Sequence, residues 1–170
     1  PELDEMLWDY DPADRLCGAT IDTGPTSASP SVDPFDIVYF GTDAGYLVAV
    51  SNGIPLWCLN LNSPVVGSPV LIIDSVENDT QALIVGTRDG RVVAVGGDSE
   101  VRWQIQTGGA VDGAISFDGF TLYAPASDGR LYAFTQRGTQ AFPPATLGTI
   151  AHPFAPAPNI LQQIIAIGGL

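Results

Sequence analysis

ALIVGTRDGRVVAVGGDSEVRW, residues 82–103, reads as three short strands joined by two tight turns. Residues 82–85 form an apolar run that ends at Gly86, and Asp89-Gly90 occupies the next connection. Residues 91–95 form a second run, Gly96-Gly97-Asp98-Ser99 a second turn, and residues 100–103 a third strand ending on Trp103. Asp-Gly between two β-branched runs is a strong hairpin signal, because the turn needs positive φ and glycine adopts it without steric cost. A meander this apolar buries both of its faces only where similar sheets lie on either side.

The chain supplies those sheets as copies of itself. Gly41-Thr42-Asp43-Ala44-Gly45-Tyr46-Leu47-Val48-Ala49-Val50 matches residues 86–95 position for position, and residues 125–134, Pro-Ala-Ser-Asp-Gly-Arg-Leu-Tyr-Ala-Phe, match again. The turn glycines Gly45, Gly90 and Gly129 are 45 and 39 residues apart, and the closing aromatics Trp57, Trp103 and Phe142 are 46 and 39 apart. A related leading strand precedes each later hairpin, at 66–71 and at 112–115, with residues 116–120 as the first turn of the third copy. Periods of about 40–50 residues with four short strands each point to propeller blades.

These repeats resemble those of the pyrroloquinoline-quinone-type (quinoprotein-like) β-propellers: a small-residue strand end, an Asp-Gly hairpin, a Leu/Val-Tyr/Val-Ala run and a closing Trp. The resemblance is carried by residues 29–142 and more weakly by the ends. It implies an all-β fold, a segment of about three complete four-stranded blades at about 31–57, 66–103 and 112–142, within a single domain 1–170. Partial blade strands are expected at 5–10, where Leu7-Trp8 aligns with Leu56-Trp57, and at 150–168. Open blade edges at both ends would be an aggregation hazard, so more of the same polypeptide, a second copy or a protein partner is expected to complete the ring. Family habit implies an exported, periplasmic or secreted protein.

Nineteen acidic residues against six arginines and no lysine give a net charge of −13. That balance argues against nucleic acid and against an anionic membrane surface, both of which require basic patches. No apolar run of the chain reaches the 18 residues of a membrane span. The acidity keeps the protein soluble and favours cations or basic partners.

Motifs for catalysis are absent. His152 is the only histidine, no Gly-x-Ser-x-Gly elbow occurs, and a chain without lysine has no P-loop. The resemblance extends to quinone dehydrogenases, but these carry adjacent cysteines beside the cofactor, and here Cys17 and Cys58 stand 41 residues apart. The two cysteines are a candidate structural disulfide in an exported protein, with buried free thiols as the alternative. Asp22, Asp33 and Asp36 are candidate oxygen donors for Ca²⁺, although the spacing of a dedicated calcium loop is missing. Trp8, Trp57 and Trp103 recur at one repeat position, which points to packing between blades rather than to a cofactor site. Asn78-Asp79-Thr80 fits a glycosylation acceptor in the longer, polar connection 73–81, and matches of three residues arise readily by chance.

The reading is therefore a non-catalytic scaffold or protein-interaction module in an envelope or extracellular assembly, with no cofactor. The alternatives are part of a larger quinone- or calcium-dependent oxidoreductase, or a ligand-sensing ectodomain.

Overall fold

The computed structural model describes residues 25–73 and 80–146. Every regular element among them is a strand, and the twelve strands form three four-stranded antiparallel sheets. Blade one comprises β1 (Ser31–Val32), β2 (Ile37–Gly41), β3 (Tyr46–Ser51) and β4 (Ile54–Asn60). Blade two comprises β5 (Val70–Ile73), β6 (Thr80–Gly86), β7 (Arg91–Val95) and β8 (Val101–Gln106). Blade three comprises β9 (Ser116–Phe117), β10 (Thr121–Ala126), β11 (Arg130–Thr135) and β12 (Gln140–Thr146). Each blade is a meander in which consecutive strands are neighbours.

Stacking of sheet on sheet explains the composition. The third strands β3, β7 and β11 are almost wholly buried, because both of their faces are covered. Alternation along β7 divides its side chains between two cores. Val92 and Ala94 face blade three, joining Ile84, Leu122, Ala124, Tyr132 and Phe134. Val93 and Val95 face blade one, joining Tyr39, Leu47, Ala49, Leu83 and Val85. The strand period of two thus lets one sheet serve two cores. Fully burying a side chain of this size contributes about 1.5–3 kcal/mol, so these cores are the main force holding blade to blade.

The segments between blades act as straps. The Val65 N–H donates to Thr42 O of blade one (3.0 Å), while the neighbouring Pro64 O accepts from Arg88 N of blade two (3.0 Å). One repeat later, Val111 N donates to Thr87 O (3.0 Å) and Ala110 O accepts from Ser127 N (2.8 Å). Each strap is bonded to both blades it joins, and its valine is completely buried. Gly41 and Gly86 make room for it: a Cβ on either would lie 2.4 Å from the strap backbone oxygen.

This corrects the expected leading strands. The strand of blade two starts at Val70 rather than at residue 66, and that of blade three at Ser116, a residue expected to lie in the turn. Ahead of each strand the chain is tied down as strap, through Pro64 and Val65 and through Ala110 and Val111, rather than paired in a ladder, and Pro69 has no N–H to offer one. Outer strands also run past the closing aromatic, to Asn60, Gln106 and Thr146. Pro143 and Pro144 lie inside β12, at a register irregularity on a strand with one free edge, where a missing donor is tolerated. The expected partial blades at 5–10 and 150–168, with Trp8 and His152, lie outside the described residues.

Candidate interaction face

The meander topology gives the stack two unlike faces. One carries the turns between second and third strands together with the straps. The other carries the turns between first and second and between third and fourth strands.

The strap face is polar and tightly wired. Gly45, Gly90 and Gly129 sit in its turns with φ of 94°, 88° and 80°. Gly45 O accepts from Leu61 N (2.8 Å) and Gly90 O from Thr107 N (2.7 Å), which locks the end of the outer strand to the blade's own turn in blades one and two. Asp89 accepts from Thr87 Oγ1 and from Arg91, and Asp128 accepts from Tyr132 Oη (2.6 Å). Partial burial alone would raise the Asp89 carboxyl, but the bonds from Arg91, Thr87 and Ser63 outweigh it and hold it below the usual carboxylate range. Arg88 pairs with Asp112 at 3.5 Å.

The opposite face is built on turns that repeat as rigid units. Asp33 Oδ1 accepts from the N–H groups of Phe35 and Ile37, both at 2.9 Å, and Tyr39 Oη donates to Oδ2 at 3.0 Å. In blade three Asp118 Oδ1 accepts from Phe120 N (2.9 Å) and Thr121 N (2.7 Å), and Tyr123 Oη donates to Oδ2 at 3.1 Å. The backbone N–H groups of Thr121 and Phe120 hold the Asp118 carboxyl below its ordinary value. Burial, and then this carboxylate, push the Tyr123 phenol above its own. Both turns therefore present the phenylalanine two residues after the aspartate outward, Phe35 at 54% and Phe120 at 84% exposure.

Those two are part of a larger set. The exposed large hydrophobic residues among the described residues are Val32, Phe35, Ile54, Leu56, Val101, Phe120 and Phe142. Val32 ends β1, Phe35 and Phe120 are in turns, and Ile54, Leu56, Val101 and Phe142 fall within the first three residues of outer strands. All seven belong to this one face and its rim. Among the described residues the strap face has none.

The tryptophans clasp adjacent blades at the same side. Trp57 Nε1 donates to Gly97 O (2.8 Å), in the turn between β7 and β8. Trp103 Nε1 donates to Gln136 O (2.9 Å), in the equivalent turn between β11 and β12. Each indole packs against the core between its blade and the next. An open groove of about 520 Å³ lies beside the second clasp, lined by Ile72, Ala82, Arg102, Trp103, Gln136 and Arg137.

The other candidates from the sequence are placed as follows. Asp33 is buried and its carboxylate is engaged by its own turn, Asp36 adopts φ 59° beside it, and Asp22 lies outside the described residues. Among the described residues no three His, Cys, Asp or Glu side chains are grouped to hold a metal ion. Cys58 is disulfide-bonded, while Cys17 lies outside the described residues, as does Asn78. The aspartate–tyrosine brace escaped the sequence reading. Its signal was Asp-x-Phe followed by a tyrosine in the next strand, at residues 33–39 and 118–123.

Comparison with known proteins agrees with this architecture. Among solved structures, BamB from Moraxella catarrhalis superposes with a TM-score of 0.62 at 18% identity, covering 82% of this chain and 39% of BamB. The chain thus spans about two-fifths of the length of that protein. The computationally designed Ika4 protein superposes with a TM-score of 0.64 at 15% identity, covering 84% of this chain and 80% of Ika4. At these identities the likeness is one of fold. No curated protein matches the chain. The family described as outer membrane protein assembly factor BamB matches residues 3–141, and the chain belongs to that family of quinoprotein-like β-propellers.

Proposed function

We propose that the chain is a non-catalytic interaction module of an envelope or extracellular assembly, and that it meets a protein partner, or a second copy, through the face of the Phe35 and Phe120 turns. The observation that carries this reading is that the seven exposed large hydrophobic side chains of the described residues gather on that face and its rim. A one-sided apolar surface of this kind on an otherwise acidic protein marks a contact site. The mechanism is geometric. Phe35 and Phe120 are held by backbone-bonded aspartates, so little conformational freedom is lost when they are buried, and aromatic anchors of this sort dominate interface energies. The family's description as an outer membrane assembly factor supports an exported location. No helix among the described residues is long and apolar enough to cross a membrane.

The test compares native complexes isolated from the protein's own envelope. A Phe35→Ser, Phe120→Ser double variant is expected to lose its associated protein while keeping a wild-type circular dichroism spectrum, and Arg88→Ser on the strap face is expected to keep both. A double variant that retains the complex would sink the reading.

A further inference from the structure

Two repeat positions change character together at one junction between blades. The turn residue after the carbonyl that receives the tryptophan is Asp98 at the junction of blades one and two, and Arg137 at the junction of blades two and three. The residue before the tryptophan is Leu56 in the first case and Arg102 in the second. Two of the six arginines of a chain with net charge −13 therefore line one groove, beside Trp103, Ile72 and Ala82.

The two guanidiniums are not equivalent. Arg102 is already paired with Asp98 at 2.6 Å and with Glu100 at 3.4 Å. Arg137 is exposed, and none of the ion pairs among the described residues involves it. The indole ring of Trp103 lies against Gly138, where a Cβ would come within 2.7 Å of it, so the clasp fixes the ring as a rigid wall. The volume, about 520 Å³, falls in the range of sites that hold small ligands or a few side chains.

We propose that this groove takes an acidic, apolar segment of the partner protein: an apolar side chain against Trp103, Ile72 and Ala82, and a carboxylate on Arg137. The inference rests on the interaction reading above and names the chemistry of what is recognised. Apolar burial supplies most of the affinity, and Arg137, the groove arginine outside the ion pairs of the described residues, supplies selectivity for a carboxylate in a protein that repels acids elsewhere.

The experiment titrates the intact protein with acetyl-Leu-Phe-Asp-Glu-amide, with the neutral peptide acetyl-Leu-Phe-Asn-Gln-amide, and with sodium acetate. The readout is the Trp103 indole N–H resonance, assigned by its loss in Trp103→Phe. The acidic peptide is expected to move that resonance to saturation, with the neutral peptide about threefold to tenfold weaker and acetate without effect at matched concentration. Arg137→Gln is expected to erase the difference between the peptides, and Arg130→Gln on the strap face to preserve it. Equal binding of the two peptides, saturation by acetate alone, an unmoved resonance, or a preference that survives Arg137→Gln would each overturn the proposal. Loss of the native complex in the double phenylalanine variant, with no response of Trp103 to the peptide, would remove the groove and leave the interaction face standing. The converse pair of results would do the opposite.

Discussion

Replacing Gly86 by alanine is expected to destabilise the protein by about 3 kcal/mol, the upper end of the usual cost of overpacking a site. The added methyl would sit 2.4 Å from Val111 O and 2.5 Å from Val111 Cγ1. Neither atom can yield cheaply. Val111 is fully buried, and its N–H holds Thr87 O while its neighbour Ala110 holds Ser127. Moving the strap therefore disturbs blades two and three together. Gly119→Ala is the control: Gly119 has φ 99° but nothing within 4 Å of where the new methyl would sit, so its cost is backbone strain alone, about 1–2 kcal/mol. Urea unfolding at constant m-value gives both numbers. A Gly86→Ala loss no larger than that of Gly119→Ala would show that the straps do not clamp the blades.

The second large effect is expected at Phe134, where truncation to alanine should cost about 3–5 kcal/mol. Its ring is 1% exposed, stacks at 6.2 Å on Tyr132, and belongs to the core that joins blades two and three. Trp103 packs against the same core, so its fluorescence should report the loosened junction. Phe120, only fourteen residues away and 84% exposed, is expected to tolerate the same substitution within about 0.5 kcal/mol. Two phenylalanines of one blade, one silent and one severe, separate the core from the exposed turn face. Equal losses at both positions would contradict the described packing.

Much of the fold is legible in the sequence. The Asp-Gly turns, the apolar third strands and the closing tryptophans repeat with a period that physical reasoning ties to stacked blades, and the structure places Gly45, Gly90 and Gly129 in those turns at positive φ. Strand starts were less legible. Residues 66–69, Val-Gly-Ser-Pro, fit a strand by composition, and the start of the ladder at Val70, behind a strap bonded to two blades at Pro64 and Val65, is set by contacts far away in the chain. The exposed apolar face was hidden for a related reason. Phe120 and Phe117 are the same residue type three positions apart, yet one is exposed and the other packs against a core. Which side a residue takes depends on register and turn, not on its own hydrophobicity. The groove was less visible still, because Arg102 and Arg137 lie 35 residues apart and meet only through the clasp of Trp103 on the next blade.

The most direct test of the functional account is site-specific photocrosslinking of the protein in its native envelope. A photoreactive phenylalanine analogue would replace Phe120 in one sample and Arg88, on the opposite face, in another. A discrete protein adduct from position 120 and none from position 88 is the predicted result. Adducts from position 88 alone, or from neither position, would contradict the claim that the apolar turn face is where this propeller meets its partner.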